Sequence, residues 1–147
     1  MIRTSSAYTV LAAAAALLQS NTAVPAQAKA PAPALTVTPA ERVVFSGPEG
    51  GPFYPSFYQY NLSATIGRID YSIRTPSWLA SAVNFGTADM SGRTVTVLIS
   101  KSANDLKPGT YGPGVTFTNV TNGRGSVTRP VVLTVQPRES PSRANSR

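Results

Sequence analysis

Three features of the sequence predict an all-β chain, a single immunoglobulin-like antiparallel β-sandwich of about seven to eight strands. Apolar and polar residues alternate strictly in one stretch after another, as half-buried strands require. Gly, Pro, Asn and Asp recur about every ten positions between those stretches. Beyond the N-terminal segment, no run keeps the 3.6-residue period of an amphipathic helix. A signal peptide before the sandwich and a disordered tail after it complete the expected organisation.

The first segment, 1–28, has the form of a secretory signal. Arg3 supplies the positive start, and Val10-Leu-Ala-Ala-Ala-Ala-Ala-Leu-Leu18 supplies the apolar centre. Ala26-Gln27-Ala28 fits a small-x-small cleavage site, which places Lys29 at the mature N-terminus. The apolar run is shorter than the roughly 20 residues of a membrane span. Its alanine-rich style suits a bacterial protein that is exported, to the periplasm or beyond, with no membrane insertion after the signal is removed. Residues 29–34, Lys-Ala-Pro-Ala-Pro-Ala, form an extended Pro/Ala linker.

The sandwich is expected over 35–136. Leu35-Thr-Val-Thr38 alternates, stops at Pro39, and resumes at Val43-Val-Phe-Ser46, as an edge strand does when it changes partner. Residues 46–55 are turn chemistry throughout. Tyr58, Tyr60 and Leu62 then share one face, with Phe57, Gln59 and Asn61 on the other. Ile69 to Ile73 alternates again, and a short Ala82-Val-Asn-Phe85 segment is expected to close at Gly86. From Arg93 to Val135 three strands follow, carrying Val95, Val97 and Ile99, then Val115 and Phe117, then Val127, Val131, Leu133 and Val135 inward. Residues 137–147 are polar, basic and Ser-rich, the composition of a disordered tail.

Composition excludes several kinds of chemistry. The 147 residues contain neither Cys nor His, so there is no disulfide framework, no thiolate site and no His-based acid–base or metal chemistry. A glycosidase would need two placed carboxylates. The folded region offers Glu41, Glu49, Asp70, Asp89 and Asp105, none in a recognisable pair. Asn104-Asp105 and Asp89 read as turn residues rather than a calcium loop. The formal charge is +7, from 13 basic and 6 acidic residues, but the basic residues are scattered singly. Scattered charge serves solubility and argues against a nucleic-acid partner. The expectation is therefore a non-enzyme that needs no cofactor.

Several segments, in order, carry a family resemblance. They are Leu35-Thr-Val-Thr-Pro-Ala40, Val43-Val-Phe-Ser-Gly-Pro-Glu-Gly-Gly-Pro-Phe53, Pro76-Ser-Trp-Leu79, Val95-Thr-Val97, Leu106-Lys-Pro-Gly-Thr-Tyr111, Val115-Thr-Phe-Thr-Asn119 and Val131-Val-Leu-Thr-Val135. Together they resemble the BACON-type domains of secreted bacterial proteins, across nearly all of 35–136. The resemblance implies an immunoglobulin-like module associated with glycan or glycoprotein binding, or with spacing other domains apart. It implies no catalytic residues. Tyr111-Gly-Pro-Gly114 departs from the pattern by placing Pro113 where a strand donor belongs, which predicts a bulge or an edge.

Two aromatics read as structural. Trp78, the single Trp, suits the gap between two sheets. Tyr111 follows a Leu-x-Pro-Gly-Thr turn and resembles a tyrosine corner, whose hydroxyl bonds backbone a few residues upstream. The candidate contact site lies in Phe53-Tyr-Pro-Ser-Phe-Tyr-Gln-Tyr60, which holds five aromatics. Alternation turns Tyr58 and Tyr60 inward and Phe57 outward, while Phe53 and Tyr54 sit in a Pro-bounded loop. Phe53, Tyr54 and Phe57 are thus the expected contact residues; the competing reading has Phe53 capping one end of the sandwich and Phe57 covering a neighbouring strand. The expected function is a non-catalytic interaction module that meets an envelope or extracellular protein through this patch or a sheet edge. A carbohydrate- or glycoprotein-binding module is the alternative, and an accessory to a hydrolase is the remotest reading.

Overall fold

The computed structural model describes residues 25–140. The signal-peptide reading falls mostly on residues 1–24, outside the described residues, as does the 141–147 part of the expected tail. The chain divides into Met1–Ala30 and Pro31–Arg147, and every strand lies in the second unit. Residues 25–34 carry no regular secondary structure.

Among the described residues, ten strands run in chain order: β1 (Leu35–Thr38), β2 (Val43–Pro48), β3 (Phe57–Ala64), β4 (Arg68–Arg74), β5 (Leu79–Ser81), β6 (Phe85–Asp89), β7 (Arg93–Ile99), β8 (Gly109–Tyr111), β9 (Gly114–Asn119) and β10 (Val127–Gln136). One sheet has the order β1-β3-β7-β5. The other has β2-β10-β9-β4-β6, with β8 also on β10. The two sheets share one core, so the domain is an immunoglobulin-like β-sandwich. Alternation decides the layering: Val95 and Val97 of β7, Tyr60 and Leu62 of β3, Val115 and Phe117 of β9, and Val131 and Leu133 of β10 are all buried. Each such side chain contributes about 1.5–3 kcal/mol by leaving water. Tyr60 of one sheet meets Phe117 of the other edge-on, with ring centroids 5.1 Å apart. The aromatic pair thus spans the gap between the layers.

The interrupted first strand does change partner. β1 pairs with β3 in one sheet, whereas β2, beyond Pro39, pairs with β10 in the other. Three expectations need correction. Among the described residues the strands number ten, because short pieces at Leu79–Ser81 and Gly109–Tyr111 pair as well. The sandwich is not wholly antiparallel, since β2 runs parallel to β10 from Val43 opposite Val131 to Pro48 opposite Gln136. Gly86 does not end its segment; β6 continues through it to Asp89. A Cβ at Gly86 would stand 2.7 Å from the Tyr71 hydroxyl, so glycine is there to seat that ring.

The Pro113 departure resolves as an edge without a bulge. Tyr111 lies opposite Leu133 and Gly114 opposite Pro130, so both strands advance by the same number of residues across the break. A bulge needs an extra residue on one strand, and there is none. Among the described residues, β8 has β10 on one side and no strand on the other.

Asn119 is the buried polar residue of this core, at 1% exposure. Its Oδ1 accepts from the Thr121 and Asn122 amides, and its Nδ2 donates to Asn122 Oδ1 and the Arg124 carbonyl, each at 2.9 Å for the donated bonds. The fully satisfied side chain holds the 119–125 turn in shape. That turn presents the Arg124 carbonyl to the Leu35 amide at 2.9 Å, closing part of the open side of β1.

Candidate functional site

The outer face of the four-stranded sheet carries the candidate site. On β3 the alternation turns Tyr58, Tyr60 and Leu62 toward the core and Phe57, Gln59 and Asn61 toward solvent. Phe57 is 54% exposed and lies directly opposite Leu98 of β7, itself 39% exposed. Leu98 in turn lies opposite Ala80 of β5. Phe57, Leu98 and Ala80 therefore form one apolar row across three strands. Next to it, Gln59 faces Thr96 and donates to its hydroxyl at 3.3 Å.

Tyr54 is 70% exposed in the loop that enters β3. Its backbone bonds Ser46 in both directions, at 2.8 and 2.7 Å, which fastens that loop to the outer edge of β2. Phe53 is a correction. It is 6% exposed and belongs to the core, so it cannot be a contact residue. Gly47 is the cause: a Cβ there would stand 2.2 Å from the Pro52 carbonyl oxygen and 2.8 Å from the Phe53 ring. Without a side chain at 47, the loop folds back against β2 and carries Phe53 inward to the core.

The two structural aromatics are both placed by the fold. Trp78 is buried at 3% exposure among the core residues. The Tyr111 hydroxyl donates to the Lys107 carbonyl at 2.8 Å, four residues upstream. Lys107 also pairs with Glu49 at 2.9 Å, and that carboxylate raises the ammonium pKa. The pair is largely exposed and contributes little.

Leu98 escaped the sequence reading, although it is the one apolar residue on the hydroxyl face of its strand. A second exposed apolar group also went unread: Val83, Phe85 and Met90 on and beside β6, with Val120 past the end of β9. Phe85, Gly86, Thr87, Asp70, Tyr71 and Val120 line a shallow depression of about 370 Å³. The Thr87 hydroxyl donates to Asp70 at 2.9 Å within it. Among the described residues, no cluster of His, Cys, Asp or Glu could hold a metal ion.

Fold and site together define a class: a small immunoglobulin-like sandwich with an apolar, aromatic row on one solvent face. No family model matches the chain, and no curated protein matches it. Among solved structures, the chain is similar to WR4, a C. elegans MSP family member, at 12% identity. That similarity covers 69% of this chain and 96% of that chain, with a TM-score of 0.38.

Proposed function

We propose that the protein is an exported, non-catalytic interaction module of the bacterial envelope or exterior, of the BACON-like kind, which contacts a partner protein through Phe57 and its neighbours. One observation carries the reading: an aromatic ring more than half exposed, aligned with Leu98 in an apolar row on a sheet face. A large apolar side chain held in water by the ladder's own alternation costs free energy that a partner recovers by covering it. Tyr54, exposed in the adjoining loop, extends the contact surface. The absence of His and Cys from the sequence supports a binding role over a catalytic one.

The second reading is a saccharide site. Gln59 and Thr96 supply an amide and a hydroxyl beside the Phe57 ring, the mixture of stacking surface and polar groups that a sugar face requires.

Purified protein and its Phe57→Ser and Leu98→Ser variants are tested against saccharide arrays and against envelope proteins of the source cell. Loss of a bound partner in both variants, with unchanged thermal unfolding, supports the row as the contact surface. Equal binding by wild type and both variants removes it. Export has its own test: N-terminal sequencing of the exported chain should begin at Lys29.

A further inference from the structure

Free sheet edges are templates for strand addition, and folded proteins blunt them. In this domain most of the edges are blunted. On β1, the Leu35 amide is taken by Arg124 and the Val37 carbonyl by the Arg129 guanidinium. On β2, Ser46 is bridged by Tyr54, and the strand ends in Pro48. β5 and β8 have three residues each. The exception is β6, five residues without Pro or Lys. Among the described residues it pairs with β4 alone, from Arg68 opposite Asp89 to Ser72 opposite Phe85. The Ile73 amide donates to the Asn84 carbonyl, so Tyr71–Gly86 is a hydrogen-bonded pair and the amides and carbonyls of Phe85 and Thr87 point away from β4. They have no backbone partner among the described residues. Phe85 is also the most exposed large apolar side chain described, at 81%.

We infer that β6 pairs antiparallel with β6 of a second copy of this chain, about a two-fold axis through Gly86, to make one sheet continuous across a homodimer. The edge is complementary to itself in that register. Phe85 and Thr87 both direct their hydrogen-bonding groups outward, so Phe85 falls opposite the partner's Thr87 and Thr87 opposite the partner's Phe85. Phe85 and Thr87 both project on the outer face and line the depression with Asp70 and Val120. Each Phe85 ring thus meets the Thr87 rim of the other copy's depression, as an isologous contact demands. The charges agree. Asp89 ends β6, and in this register it lies toward the end of the partner's β6 at Phe85, beyond which β4 closes on Arg74. Asp89 is held ionised by the Ser91 hydroxyl and amide and has Arg68 on its other flank. A chain of formal charge +7 thus meets its copy along an edge where acid faces base. This surface belongs to the other sheet from the Phe57 row, so either can fail without the other.

The full chain should sediment as a concentration-dependent dimer. Thr87→Pro removes an outward amide without touching a ladder bond, and Phe85→Lys places a charge on the edge. Each should weaken dimerisation at least tenfold while the melting transition stays cooperative. Register has a direct test, because the chain contains no Cys. A mixture of the Phe85→Cys and Thr87→Cys chains should oxidise to a heterodisulfide, since a hydrogen-bonded pair has Cα atoms about 5.5 Å apart. The Thr87→Cys chain alone should not cross-link. A chain that stays monomeric at near-millimolar concentration, or a mixture that yields no heterodisulfide, overturns the inference and leaves the edge to a foreign strand.

Discussion

Single atoms set several properties of this domain. The Tyr60 hydroxyl is fully buried and finds no hydrogen-bond partner among the described residues. Burial pushes its pKa up to about 12, with the nearby Tyr58 adding to the rise and Arg129 opposing it. Removing a buried, unpaired hydroxyl while keeping the ring should be neutral or stabilising, so Tyr60→Phe should gain up to about 1 kcal/mol in denaturant unfolding. The sign of the pH effect follows from a folded pKa above the unfolded value of 10.0. The neutral form's advantage is complete below pH 10 and is lost as pH rises through about 12. Wild-type stability should therefore fall across that window by up to about 2 kcal/mol more than that of Tyr60→Phe, as read by unfolding at stepped alkaline pH. Gly47 makes the second case. Gly47→Ala drives a methyl into the Pro52 carbonyl and the Phe53 ring, and should cost about 1–3 kcal/mol with Phe53 newly exposed to solvent. A variant as stable as wild type would mean that the loop has another way to seat Phe53.

At the scale of elements, what was legible was what period two encodes. Which side chains of β3, β4, β7, β9 and β10 face inward follows from alternation alone, and so does the break between β1 and β2 at Pro39. Phe53 was not legible, because a loop residue has no period. Its burial depends on Gly47, whose bare Cα matters only once the loop has folded over it. Leu98 was legible as an apolar residue on a hydroxyl face, but its importance comes from lying opposite Phe57, and register is a long-range property. The true length of β6 was hidden because a glycine reads as a stop in sequence and as a seat for Tyr71 in space. Arg129 ties two elements that sequence places far apart: from β10 it donates to the Val37 carbonyl on β1. Arg129→Met keeps the stem and loses that bond. It should cost about 1–3 kcal/mol and speed amide hydrogen exchange in β1 ahead of the other strands. Uniform exchange across all strands would show that the Arg129 bond does not hold β1 in place.

For the whole molecule, the sandwich divides its surfaces between two sheets. The four-stranded sheet shows the Phe57–Leu98 row, and the six-stranded sheet shows the β6 edge. A dimer joined through β6 leaves the row free on each copy, so a partner that the row binds would meet two sites at once and gain avidity without any new contact. The parallel pairing of β2 with β10 has a mechanical consequence. A pull between the first residue of β2 and the last residue of β10 draws parallel neighbours past each other lengthwise. Their bonds, from Val43–Val131 to Pro48–Gln136, then share the load together rather than opening one by one. A domain strung between two anchors by its ends would resist tension as a clasp does, along the strands rather than across them.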